Sequence, residues 1–216
     1  TRRPGRRVRP MNGHDDPPTV DGGRRRFLAT TTAAVGAVGA CCLAVPFARS
    51  LRPDAGARAS AAPVTVDIAG LKEGERLVVA WRGQPVWVLH RSRAMLERLA
   101  ALDGRLLDPQ SRNPEQQPGY VLAGDRGLRS IRPEISVLVG LCTHLGCAPE
   151  MAADAVPQPY DPDWQGGYFC PCHQSRFDLS GRVFKDMPAR SNLLVPPHHY
   201  VDADTLVIGA GPGGGA

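Results

Sequence analysis

With 216 residues, 42% of them hydrophobic, the chain has material for one domain of ordinary size plus appendages. Its formal net charge of +5 would suit a nucleic-acid partner, but residues 1–26 hold eight Arg against three Asp, a surplus equal to the whole of it. The remainder is formally neutral and has no overall basic excess to drive phosphate binding, which argues against nucleic acid as a partner.

Residues 1–26 read as a basic tail, with Met11 as an alternative start just upstream of Arg24-Arg25-Arg26. Residues 27–48, FLATTTAAVGAVGACCLAVPFA, carry no charge. About 20 apolar residues cross a hydrocarbon core as a helix, and this run of 22 suffices. Its Gly, Ala and Thr let neighbouring helices approach closely in a membrane. The alternative is a secretory signal cleaved near Ala57-Arg58-Ala59. An uncleaved anchor is favoured, because the apolar region of such a signal is about 7–15 residues and this run is longer. Arginines before the span and few just after it put the tail in the cytoplasm and the rest outside. Arg24-Arg25-Arg26-Phe27-Leu28 resembles the twin-arginine export signal.

Residues 49–63, rich in Ser, Ala, Gly, Pro and Arg, read as a flexible tether. From 64 to 216 the pattern is mainly β. Residues 64–68 alternate, and Leu77–Trp81 with Val86–Leu89 flank Arg82-Gly83-Gln84-Pro85 as a hairpin. Ser92 is the predicted cap of a helix through about Leu102, with Met95, Leu96 and Leu99 at helical spacing. Residues 104–119 read as a long connection, 135–141 as a strand, and His199–Val201 with Leu206–Ile208 as a terminal hairpin.

The chemistry is concentrated in Cys142-Thr143-His144-Leu145-Gly146-Cys147 and Cys170-Pro171-Cys172-His173-Gln174-Ser175, both expected on loops between strands. Each box offers one Cys and one His at metal-gripping spacing, with a second Cys left over. A 2Fe-2S cluster needs four protein ligands, met here by two thiolates and two imidazoles. Neutral imidazoles make such a cluster less negative and easier to reduce than an all-thiolate one. Zinc is the alternative for two Cys and two His. The mixed pairing within each box favours the iron cluster, because zinc pairs tend to be like with like. Export after folding suits such a protein, since cluster insertion needs reduced thiols and a disulfide needs an oxidising compartment.

The boxes resemble the C-T-H-L-G-C and C-P-C-H-G-S motifs of the Rieske iron–sulfur family, and Cys147 and Cys172 resemble its subtype in cytochrome bc complexes. The resemblance implies an antiparallel β domain with a small cluster-binding subdomain and one N-terminal transmembrane helix. It also implies that Cys142, His144, Cys170 and His173 ligate a 2Fe-2S cluster and that a disulfide joins Cys147 to Cys172. By the same resemblance His173 accepts a hydrogen bond from quinol, Leu145 packs near the quinone site, and Ser175 donates a hydrogen bond to a bridging sulfide. The implied activity is electron transfer from a membrane quinol such as ubiquinol to a c-type cytochrome, coupled to proton translocation. The implied partners are cytochrome b and the c-type cytochrome of a dimeric complex in a bacterial inner membrane, with residues 64–216 periplasmic.

Two departures stand out. Gln174 replaces a usual Gly, and Phe177 replaces a Tyr whose hydroxyl reaches a ligand sulfur, which implies a lower potential. The 148–167 segment reads as a surface excursion, and His198-His199 as exposed. Trp81 and Trp87 are expected in a strand core, and Cys41 and Cys42 in the apolar span. The remaining alternatives are the Rieske subunit of a periplasmic molybdenum oxidase such as arsenite oxidase, and a zinc-stabilised module without redox activity.

Overall fold

The computed structural model describes residues 21–51, 56 and 61–213. Residues 1–20 of the basic tail and 52–55 and 57–60 of the expected tether lie outside the described residues. The chain divides into two units, residues 1–53 and 54–216.

Among the described residues, the first unit is one helix, α1 (Gly22–Ser50), of 29 residues. Asp21 caps it, its Oδ1 accepting from the backbone N–H of Gly23 at 2.9 Å and satisfying one of the donors that a helix start leaves open. The hydroxyls of Thr30 and Thr31 donate to backbone carbonyls one turn back, so both are satisfied without solvent. At 1.5 Å per residue the helix is about 44 Å long, enough to cross a bilayer core. It extends beyond the expected span of 27–48 at both ends, taking in the three arginines and the start of the expected tether.

Among the described residues, the second unit holds nine strands in three antiparallel sheets: β1 (Val64–Asp67), β2 (Arg76–Trp81), β3 (Gln84–His90), β4 (Ile135–Val139), β5 (Glu150–Ala152), β6 (Gly167–Phe169), β7 (Arg176–Asp178), β8 (His198–Tyr200) and β9 (Thr205–Ile208). The sheet orders are β1-β9-β8, β2-β3-β4 and β5-β6-β7. The β2–β3 hairpin closes with two residues rather than the four expected, since Gln84 and Pro85 already pair with β2. Arg82 and Gly83 both have positive φ, 53° and 72°, which this tight primed turn requires.

β3 and β4 are buried on both faces. Val86, Val88, Val137 and Val139 pack toward β1 and β9, against Val66, Leu206 and Ile208. Trp87 and Leu138 pack the other way, against Tyr168 and Phe177 of the β5-β6-β7 sheet. α2 (Arg93–Ala100) is capped by Ser92 and buries Met95 and Leu99. It stops two residues short of Leu102, which turns into a short 3-10 segment.

Two expectations are corrected here. The 148–167 segment is no free excursion: β5 pairs with β6, and Trp164, 1% exposed, packs with Phe184, Leu102 and Leu106. Its aromatic and strand-forming residues find a niche that their spacing does not advertise. His198 is fully buried rather than exposed, because β8 pairs with β9 and the His198 N–H donates to the Tyr120 hydroxyl at 3.0 Å. His199 is half-buried.

Candidate metal centre

β4 delivers the chain into box one, while β6 enters and β7 leaves box two. The two loops share one backbone frame. The N–H of Cys142 donates to the carbonyl of Cys147 at 2.8 Å and that of Gly146 to Cys142 at 2.9 Å. The N–H of Cys170 donates likewise to Ser175 at 2.8 Å, and that of Gln174 to Cys170 at 2.8 Å. The fifth residue of each loop has positive φ, 79° at Gly146 and 63° at Gln174. Glycine adopts that region freely, whereas another L-residue pays about 1–2 kcal/mol, so Gln174 carries strain where the resemblance leads one to expect Gly.

Each loop presents its first Cys to the interior. Cys142 and Cys170 are buried free thiols, packed with Trp87, Tyr168 and Phe177. Burial pushes the Cys142 thiol up from its ordinary range; the backbone N–H of His144 pulls it down, the Cys170 thiol raises it, and the Ser175 hydroxyl lowers it. The His144 and His173 rings meet at 4.8 Å and 87°, with His173 exposed and His144 half-buried. A disulfide joins Cys147 to Cys172 and so ties one loop to the other. Leu145 stands 70% exposed at the tip.

A third loop, residues 187–191, closes on both. The Thr143 hydroxyl donates to the Ser191 carbonyl at 2.7 Å, and the Ala189 N–H donates to Ser175 Oγ at 3.0 Å. Accepting there leaves the Ser175 hydroxyl proton free to donate toward the Cys142 sulfur.

These residues fit an iron–sulfur group. Two neighbouring buried thiols are costly to ionise without a cation, and His144 Nδ1 is buried with no hydrogen-bond partner. The sulfurs of Cys147, Cys170 and Cys172 also lie within 4.8 Å of one another, but two of the three are bonded together and cannot serve as thiolate ligands.

The ubiquinol-cytochrome c reductase iron-sulfur subunit of Allochromatium vinosum is 50% identical over 186 residues, covering 86% of this chain and 88% of its own. The chain belongs to the Rieske iron–sulfur subunit family. The Rieske [2Fe-2S] domain matches residues 108–198, which contain both boxes and the third loop. The family described as Ubiquitinol-cytochrome C reductase Fe-S subunit TAT signal matches residues 15–54, which contain the three arginines and α1. The corresponding subunit of Blastochloris viridis is 41% identical over 194 residues, 89% of this chain and 96% of its own. A solved structure titled Hyperthermophilic respiratory Complex III aligns over 83% of this chain and 99% of its own at 21% identity and TM-score 0.41. The cofactor of a Rieske domain is a 2Fe-2S cluster, so the zinc reading is set aside.

Phe177 is fully buried beneath Cys142 and Cys170 in this Rieske domain, and it brings no hydroxyl to a sulfur. The sequence reading missed Asp161 and Arg176, which flank box two. Their signal was present only as an acidic residue in the intervening segment and a basic residue directly after Ser175.

Proposed function

We propose that this chain is the electron-carrying subunit of a quinol–cytochrome c reductase, taking electrons one at a time from a membrane quinol and delivering them to a c-type cytochrome. The observation that carries this reading is the 50% identity over 86% of the chain to a subunit of that enzyme. Cys142, His144, Cys170 and His173 are the residues that would hold the cluster. Bound there, a 2Fe-2S cluster supplies a one-electron acceptor that two neutral imidazoles make easier to reduce than an all-thiolate one.

The chain's own residues do the rest. His173 is exposed at the tip, so a ring nitrogen can accept a hydrogen bond from a quinol hydroxyl and take up its proton. Leu145, next to His144 in box one, offers an exposed apolar contact. Ser175 donates toward sulfur and favours the extra negative charge. The disulfide and the third loop hold the two boxes together over the buried thiols.

α1 anchors the protein in a bacterial inner membrane, with the arginines cytoplasmic and the β unit periplasmic. In this reading the β unit serves cytochrome b and the c-type cytochrome of a dimeric, proton-translocating complex. Low-temperature EPR of the reduced membrane fraction tests the reading: a Rieske-type signal is expected, and its line shape should change with a quinone-site inhibitor. Purified complex should contain b and c hemes. Iron-free protein, or a signal indifferent to the inhibitor in the absence of those hemes, overturns it.

A further inference from the structure

Asp161, in the segment between the two boxes, has a side chain only 3% exposed and lies between two guanidiniums. Its Oδ2 is 2.6 Å from Arg105 Nη2 and 3.3 Å from Arg176 Nη1. Its Oδ1 accepts from the backbone N–H of Asp163 at 3.1 Å. Arg176 is the residue directly after Ser175, and it reaches three ways. Nη1 also donates to the Tyr160 carbonyl at 2.7 Å, and Nε donates to Met187 Sδ at 3.5 Å, at the start of the third loop. Tyr160 itself stacks on Phe169, the residue before Cys170, at 4.0 Å and 5°. Tyr160, Arg176 and Met187 are thereby walls of one cleft of about 260 Å³ whose remaining lining includes His173 and Gln174.

We infer that Asp161 is a positioning residue for the redox centre, acting through Arg176. The carboxylate fixes the guanidinium, and the guanidinium straps the strand leaving box two to both the 148–167 segment and the third loop. This rests on the function proposed above and gives that segment a role within it. The consequence is electronic as well as mechanical. Ser175 stabilises the reduced, more negative centre only while its hydroxyl stays at hydrogen-bond distance from sulfur. A slack strap lengthens that contact, so the midpoint potential falls.

The signs of two substitutions separate this from plain electrostatics. If each group acted only as a charge, losing the anion in Asp161→Ala would raise the potential and losing the cation in Arg176→Met would lower it. If the two are one strap, both substitutions lower it. The expected shift is about tenfold in the one-electron equilibrium, ~59 mV. The double variant should shift no further than the larger single one, because both changes cut the same link.

The experiment is a redox titration of the full chain in its native complex, followed by EPR, together with the rate at which an added phosphine reduces the Cys147–Cys172 disulfide. Same-sign, non-additive falls with broadened lines and faster disulfide reduction are expected. Opposite-sign shifts overturn the inference, as do parental potentials with only a lowered unfolding temperature. If Asp161→Ala fails to accumulate, Asp161→Asn decides: a weaker strap lowers the potential, whereas loss of the carboxylate charge raises it. A parent without any Rieske-type signal would instead defeat the proposed function, a failure that the variants alone cannot produce.

Discussion

At the tip, residues that face solvent are held by cross-links: one disulfide, two matching pairs of backbone hydrogen bonds, and side-chain bonds from Thr143 and to Ser175. In the body, β4 is buried along its whole length, and the polar groups that share its interior include fully enclosed charges. Arg91, Arg129 and Arg182 are each at most 2% exposed, and Asp178 is wholly buried among them. Burial lowers Arg91 and Arg129 to about 10, and nearby Asp178 opposes that fall. The difference teaches where each region is vulnerable. The tip has little apolar area to lose and depends on connections, while the body depends on enclosure and on compensating what it encloses.

The sharpest way to break this contrast is Asp178→Asn in the body. Asp178 Oδ2 accepts from Arg182 Nε at 2.7 Å, and Oδ1 accepts from the N–H groups of Ser180 and Arg182. Losing one partner of a buried ion pair costs about 3–5 kcal/mol, to be read by chemical denaturation of the detergent-solubilised full chain. A change under about 1 kcal/mol would mean that the enclosed charges are solvated after all.

Next in size is Cys172→Ser at the tip. The bond closes a loop spanning 25 positions, for which the chain-entropy estimate is about 3.5 kcal/mol. Denaturation midpoints should fall accordingly, and the redox signal should broaden. An unaltered signal would show that hydrogen bonds alone hold the two loops.

A pH series separates the regions again. Burial lowers His198 to about 4, and the ring's Nδ1 to Pro196 carbonyl contact at 2.9 Å opposes this only in part. The folded state therefore resists a proton that the unfolded chain accepts. This contribution is complete above the unfolded pKa of about 6.5 and is lost as pH falls toward 4. Between pH 7 and pH 5 the chain should lose about 2 kcal/mol from this site, and His198→Leu should flatten that part of the profile.

The smallest effect compares the tip with itself. Gln174→Gly should stabilise by about 1 kcal/mol by removing left-handed strain, whereas Gly146→Ala should cost about the same. Thermal unfolding of both variants checks the pair. Equal signs would mean that the two loops do not share one frame.

Much of this was legible in the chain. The boxes announce a metal site because Cys and His at short spacing can grip one ion or cluster, and the uncharged run of 22 residues announces a helix long enough for a bilayer. The alternation in β1, the hairpin of β2 and β3 and the Ser92 cap are local signals, and the structure follows them. What only the tertiary structure decided is how distant segments close over the site. The burial of His198, the anchoring of Trp164 and the Arg105–Asp161–Arg176 strap each join residues far apart in sequence. Such partners are set by sheet pairing and packing rather than by spacing. An Asp in a Pro-containing segment looks solvated until the fold brings two guanidiniums to it, because burial is a property of the assembled chain and not of any window within it.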